Sequence, residues 1–350
     1  MTKELSDKNS FEEVTVRVDS GLPLSSSTVN LVKEIIRGGV EGLTIGYGKR
    51  ENEISRVSFG RIDAYQQLPI ASASKFLVAA TVMALVDEGK LSLDQSISHW
   101  LPMTSEEAGH ITLRHLLSQT SGLAGAKGEF YDLVQDSRMT LAQSCHDVTR
   151  RPLVSRPGEV FEYGGPGFQV VGAVVEAVTG KVWADVFQEK ISGPLGMSRT
   201  YWTHLRPDLT HDLPSPEMLN PVLQGGAVST AEDYMHFLSM LSQEGLYRGK
   251  RILSSSSVKV MLSDQTSAAH MTPSGANVLP DAHYSLGNWC ETWDNQGHCN
   301  RSSSIGVFGT YPWIEQKTQN FGIIFVYIRD NAFRFWKSFE EIRDSINELS

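Results

Sequence analysis

The sequence predicts an α/β (α+β) protein in which one central antiparallel sheet is assembled from both ends of the chain and flanked by helices. A mostly helical domain is inserted between the two halves. Three observations predict this. Strand-like segments cluster before residue 60 and after residue 285, whereas residues 91–250 carry mainly helical signals. An almost unbroken apolar run with internal alanines, 76–86, reads as a helix buried on nearly all sides. Residues 335–349 close the chain with an amphipathic helical pattern. The expected organisation is a flexible N-terminus at 1–12, a sheet domain from 13–90 and 251–350, and the inserted helical domain at 91–250.

Taken in order, residues 13–18 alternate like a strand, and 26–37 form an amphipathic helix with Ile35 and Ile36 inward, ended by Gly38 and Gly39. Strands follow at 42–48 and 54–60, joined by a polar hairpin turn at 49–53. Gly89 is placed to end the apolar helix as a left-handed cap. Thr140 to Gln143 and Ser229 to Glu232 read as capping boxes. Val170, Val171, Val174, Val175 and Val178 recur at helical spacing within 166–179, and Gly180 stops that helix. Pro207, Pro214, Pro216 and Pro221 preclude a long element across 205–221. Strands return at 285–289, 305–311 and 322–328. No internal repeat or low-complexity tract interrupts the chain.

At 350 residues, with 40% apolar and 20% charged residues, the chain has the composition of a globular protein with a large core. Its net charge of -9 is spread without runs, which disfavours nucleic acid or an anionic membrane as partner. The first residues lack the apolar core of a secretory signal, and no stretch has the length of a membrane span, so the expected location is cytoplasmic. Cys145, Cys290 and Cys299 make an odd count, which favours free thiols in a reducing compartment; Cys290 and Cys299 are the pair that an oxidant would join.

The chemistry gathers at Ser72 and Lys75. A spacing of three residues puts both on one face of the first turn of the apolar helix. A serine there meets unpaired backbone N–H groups and the positive end of the helix dipole, and both stabilise a developing oxyanion. A lysine among apolar neighbours loses hydration, so its pKa falls and it can accept the serine proton near neutral pH. Other candidates are weaker. Cys290, His298 and Cys299 lack a second ligand pair for zinc, and there is no His-Glu-x-x-His or Gly-x-Ser-x-Gly. The run from Gly164 to Gly167 lacks the Lys-Ser/Thr of a phosphate loop. No metal or cofactor is expected.

Ser72-Ala73-Ser74-Lys75 is accompanied by Thr120-Ser121-Gly122-Leu123, Pro157-Gly158 leading to Phe161-Glu162-Tyr163, Gly193-Pro194-Leu195-Gly196-Met197, and Gly225-Gly226-Ala227-Val228-Ser229-Thr230 before a helix. As a set, spanning about residues 25–330, these motifs resemble the serine beta-lactamase and penicillin-binding-protein superfamily. The resemblance is to its class C branch, with the family VIII carboxylesterases and D-amino-acid peptidases.

The resemblance implies Ser72 as nucleophile, Lys75 as proton acceptor and Tyr163 as the tyrosine of the branch's Tyr-x-Asn motif, relaying the proton to the leaving group. It implies an oxyanion hole from the Ser72 and Val307 N–H groups, with Gly306 letting substrate approach the strand. Two positions depart from the pattern: Gly165 replaces the asparagine, and Ser304 replaces the lysine or histidine of the third motif. Those groups help to hold the amide and carboxylate of beta-lactams and peptides; Arg301 is a candidate to compensate, though the sequence does not place it. The implied function is an acyl-enzyme serine hydrolase acting on a small ester or amide, with a carboxylesterase favoured. The alternatives are a beta-lactamase, a D-amino-acid peptidase or transpeptidase, and a catalytically silent binding protein on the same fold.

Overall fold

The computed structural model describes residues 14–20, 24–50, 54–102, 105–125, 136, 138–203, 218–272, 279, 281–296 and 298–349. The 1–12 tail, residues 51–53 of the expected hairpin turn, and 205–217 with Pro207, Pro214 and Pro216 fall outside these.

Alternating apolar segments at the two ends of the chain zip into one eight-stranded antiparallel sheet. Its strands are β1 (Val16–Ser20), β2 (Gly42–Lys49), β3 (Ser55–Gly60), β4 (His283–Tyr284), β5 (Trp289–Trp293), β6 (Cys299–Ser303), β7 (Tyr311–Glu315) and β8 (Asn320–Val326). The spatial order is β1-β3-β2-β8-β7-β6-β5-β4. The two ends of the chain meet at the β2–β8 seam, where Leu43 pairs with Val326 and Lys49 with Asn320. Both seam strands are buried almost throughout because helices cover both faces.

The principal helices are α1 (Ser26–Arg37), α2 (Ser74–Asp87), α3 (Leu141–Thr149), α4 (Pro166–Thr179), α5 (Ala231–Ser242) and α6 (Trp336–Leu349). On one face α1 and α6 pack together over Leu43, Ile45, Trp313 and Ile324. On the other, α5 lies across β2 and β8, and α2 lies inside the larger core, with Phe76 edge-on to Phe237 at 5.4 Å. The apolar run of α2 is buried from Ser74 to Leu85, which is why it has no polar face. Gly89 takes φ +68°, as a left-handed cap requires. No helix among the described residues is long and apolar enough to cross a membrane.

Several local expectations are corrected. Residues 285–288 are a bend, closed by the Ser285 N–H donating to Asn288 O at 2.7 Å, and β5 starts only at Trp289. Residues 305–310 form the turn between β6 and β7 rather than a strand, because Gly309 at φ +99° and the Gly306 N–H to Thr310 O bond (2.8 Å) fold the chain back. The strand lies earlier, at β6, whose serines are hidden between two hydrogen-bonded neighbours. The second capping box does not form: the N-cap lies one residue later, and the Asp233 carboxylate accepts from the Arg199 N–H and the Thr200 hydroxyl instead. Thr230 caps α5 by accepting from the Asp233 N–H (3.0 Å), while Glu232 pairs with Arg56 and with His236 at 3.2 Å. The Thr140–Gln143 box is present as expected.

The cysteines are corrected too. β5 and β6 are adjacent, and Cys290 and Cys299 form a disulfide with Cα atoms 5.6 Å apart, so an odd count does not leave three free thiols. Cys145 remains free and buried in α3, where desolvation pushes its thiol up to about 12 and makes it unreactive. Closing so short a loop contributes about 2–3 kcal/mol in the chain-entropy account. Protein denatured without reductant is therefore expected to titrate one thiol, and three after reduction. Replacing both Cys290 and Cys299 by serine should lower the unfolding free energy by that amount in urea titrations. Three reactive thiols in the oxidised protein would rule the pair out.

Candidate active site

The segment leading to Ser72 is fixed before the helix begins. Leu68–Pro69 pairs with Ala227–Ser229, and the Ile70 N–H donates to Ala227 O at 3.0 Å. Ala71 then adopts φ +46°, an unusual conformation for a residue with a Cβ, and residues 71–73 make a tight turn into α2. Such a conformation persists only where the surroundings over-determine it. Here Ser74 Oγ donates to Ala71 O (2.6 Å) and accepts from the Ala227 N–H (3.0 Å), and the Tyr234 hydroxyl donates to Ala73 O (2.8 Å). Ala71, Ala73 and Ser74 are buried, while Ser72 stays partly exposed.

Lys75 lies below it, only 3% exposed. Its Nζ is 3.0 Å from Ser72 Oγ and donates to Gln224 O at 2.7 Å. No carboxylate pairs with it among the described residues; the rings of Tyr163 and Phe168 stand 4.9 and 5.5 Å from Nζ. Burial without a counter-ion lowers its pKa to about 7, so a large fraction is neutral at physiological pH. Gly287 lets a turn cross directly behind: it takes φ +72°, and a Cβ there would lie 2.4 Å from Lys75 O.

Tyr163 completes the cluster. Its ring stacks on Trp289 (5.2 Å, 21°) and meets Tyr284 edge-on at 5.9 Å. Burial raises the phenol to about 12, with the hydrogen bond to Ser72 opposing that rise, so it keeps its proton at neutral pH. The Thr120-Ser121-Gly122-Leu123 turn supports it from below. Gln119, at φ +59°, accepts the Glu162 N–H on its carbonyl (3.0 Å) and the Gly164 N–H on Oε1 (2.6 Å). Gly158 and Val154 donate to Thr120 O and Gly122 O at 2.7 and 2.8 Å, which gives the Pro157-Gly158 motif its structural purpose.

The third segment runs alongside. Ser304 Oγ donates to Ser72 O at 3.1 Å, and Gly306 passes so close that a Cβ would lie 2.4 Å from Ile70 O. The Ser304 and Gly306 N–H groups donate towards β7, to Pro312 O (3.3 Å) and Thr310 O (2.8 Å). The N–H groups of Ile305 and Val307 have no acceptor among the described residues. Gly165 caps α4. Arg301 is not a substitute cation for substrate, because it is drawn into a cluster with Glu315, Glu291 (3.9 Å) and Asp344 (3.6 Å).

The structure thus brings Ser72, Lys75 and Tyr163 together and lays Ser304 and Gly306 beside them. Sequence reasoning missed Gln119, Gln224, Phe168, Tyr284 and Trp289. Of these, Gln224 had a signal, standing immediately before the Gly225-Gly226 motif.

A hydroxyl at a helix start, bonded to a buried lysine beside a large antiparallel sheet, defines the class: the fold shared by serine beta-lactamases and penicillin-binding proteins. A model of the Beta-lactamase family matches residues 29–333, and the chain belongs to that family of serine hydrolases. Among curated relatives, penicillin-binding protein 4 of Amycolatopsis lactamdurans is 30% identical over 54% of this chain and 55% of its own length. Esterase EstB of Burkholderia gladioli is 33% identical over 37% of this chain and 36% of its own length. Among solved structures, a putative beta-lactamase from Bacteroides dorei superposes with a TM-score of 0.77 at 27% identity, covering 91% of this chain and 99% of its own. The hydrolase EstCE1, described as having promiscuous acyltransferase activity, shares the fold at 0.73 and 20% identity, covering 91% and 97%.

The buried lysine has a measurable consequence. Its pKa is depressed to about 7 in the fold from 10.5 in the unfolded chain, so between those values the unfolded state binds the extra proton and stability rises with pH. Below about 7 both states are protonated, and the fold bears the full cost of burying an ammonium, about 1.4 kcal/mol for each pH unit that separates the two values. Replacing Lys75 by methionine is expected to raise the melting temperature more at pH 6 than at pH 9; an equal effect at both would show that the lysine is not desolvated.

Proposed function

We propose that the protein is a carboxylesterase-type serine hydrolase acting on small, neutral esters through an acyl-enzyme. The observation that carries this reading is the 3.0 Å contact between Lys75 Nζ and Ser72 Oγ, made by a lysine with no acidic partner among the described residues. Neutral Lys75 takes the Ser72 proton as Oγ bonds to the ester carbonyl carbon. The oxyanion is met by the N–H groups of Ser72 and Val307, as the family resemblance implies, and the Ile305 N–H is a second candidate donor on that segment. Tyr163 passes the proton on to the departing alkoxide as the carbon–oxygen bond breaks. Water then attacks the acyl carbonyl and releases the acid, restoring the Ser72 hydroxyl.

The preference for a neutral ester rests on three positions. Gly165 and Ser304 lack the amide and the cation of the family pattern, and Arg301 is held by Glu291, Glu315 and Asp344. A substrate carboxylate would forgo a charge-assisted bond worth about 1.5–3 kcal/mol. The relative named as an esterase, EstB of Burkholderia gladioli, is in keeping with this reading.

Purified protein is expected to hydrolyse p-nitrophenyl butyrate in preference to a chromogenic cephalosporin and D-alanine p-nitroanilide. Ser72→Ala should abolish the activity, and a parent-like rate in that variant would refute the mechanism. Tyr163→Phe is expected to cost roughly a hundredfold or more in kcat with the fold unchanged by circular dichroism. The rate should climb with pH through about 7, where Lys75 loses its proton, and the limb should vanish in Lys75→Ala.

A further inference from the structure

Gly165 stands where the family pattern has an asparagine, yet the space beside it is not empty. A Cβ built on Gly165 would lie 1.1 Å from Gln224 Oε1, 1.9 Å from Cδ and 2.4 Å from Nε2. The carboxamide of Gln224 therefore fills the volume that a side chain at 165 would occupy, arriving from a different segment of the chain. Gln224 is only 8% exposed, and its Oε1 is buried with no hydrogen-bond donor among the described residues. Its main-chain carbonyl already accepts from Lys75 Nζ at 2.7 Å.

The segment that carries it is held rigidly. Gln169, buried in α4, accepts the Leu223 N–H (2.9 Å) and donates to Pro221 O (3.1 Å) and Asn220 Oδ1 (2.8 Å). The Gly226 N–H closes the turn on Val222 O (2.6 Å), and the Thr203 N–H donates to Gly226 O (2.8 Å).

A buried carbonyl oxygen without a donor costs stability unless some state of the molecule satisfies it. Lys75 presents the complementary deficit. When it takes the Ser72 proton it becomes an ammonium with three N–H groups, while the acceptors bonded to Nζ are Ser72 Oγ and Gln224 O. We propose that the Gln224 carboxamide is a positioning residue for acylation: its Oε1 takes the third N–H of the Lys75 ammonium and so replaces, from the 222–226 turn, the amide absent at Gly165. The proton moves from Ser72 Oγ to Lys75 Nζ, and no other bond changes at Gln224. The main-chain carbonyl of Gln224 is already at Nζ, which tethers the side-chain amide beside the lysine. The other titratable groups around Lys75 are phenols. Tyr163 faces it, Tyr284 packs edge-on behind Tyr163, and Tyr234 reaches in from α5; burial raises all three above the ordinary tyrosine value, so none supplies a counter-charge.

This inference rests on Ser72 being the nucleophile, and the test separates the two. The pseudo-first-order rate at which a fluorophosphonate labels Ser72, followed by intact mass between pH 5 and 10, reports nucleophile activation without any assumption about substrate. No labelling of Ser72 in the parent at any pH would overturn the hydrolase reading, and with it the role given to Gln224. With labelling established, Gln224→Met is expected to slow the plateau about tenfold and to move the acid limb down by about one pH unit, because a charge-assisted acceptor is lost. Gln224→Glu should move the limb up, since a carboxylate beside Lys75 favours the ammonium. The double variant Gly165→Asn with Gln224→Gly should return the limb to the parent position. A merely space-filling Gln224 would alter the plateau and leave the limb in place in Gln224→Met, and that outcome would overturn the proposal. Melting temperatures give an independent check on the shared space. Gly165→Asn should be destabilising with Gln224 present and close to neutral with Gln224→Gly, whereas an equal effect in both backgrounds would contradict it.

Discussion

The rest of the site depends on burying Lys75 without a counter-ion. An ammonium taken out of water is costly, and the fold lessens that cost by letting the lysine be neutral rather than by pairing it. Everything around it serves that arrangement. The helix that carries it is apolar on all sides, the groups facing its Nζ are aromatic rings, a hydroxyl and a main-chain carbonyl, and Gly287 allows a turn to seal the back of the helix. A carboxylate at any of these positions would hold the charge and remove the base.

The nucleophile turn shows how the sheet and the helical part of the chain cooperate. Ala71 sits at a positive φ in a turn held by bonds from three separate segments: Ser74 on α2 donates to Ala71 O, Ala227 on the short strand pairing with Leu68–Pro69 donates to Ser74 Oγ, and Tyr234 on α5 donates to Ala73 O. The aromatic stack of Tyr163, Trp289 and Tyr284 ties the phenol to the β4–β5 edge of the sheet, and the Cys290–Cys299 bond staples β5 to β6. The site is therefore built at the junction of elements far apart in sequence, and its geometry is a property of the packed core.

That also explains what is legible in the sequence. The sheet seam, α1, α2, α4 and Ser72, Lys75 and Tyr163 can be read because each is marked locally, by periodicity, caps or a spaced motif. The path of 285–311 is not legible, because its polar strand, β6, is buried by neighbours that only the tertiary pairing supplies, while its apolar residues 305–308 sit in a turn. The odd cysteine count points away from a disulfide that depends on the β5–β6 register. Gln224 stands beside the Gly225-Gly226 motif, but its role is not legible for the same reason: its meaning comes from the volume left at Gly165, which is 59 positions away and adjacent only in the fold.

The chemistry assigned to the site stands on one quantity, the protonation state of Lys75, and that can be observed directly. Protein labelled with carbon-13 at the lysine side chains, with the Lys75→Met variant to assign the resonance, should show the Lys75 signal titrating near 7. A Lys75 resonance that stays in the ammonium form up to pH 10 would contradict the account, because a lysine charged at neutral pH cannot take the proton from Ser72.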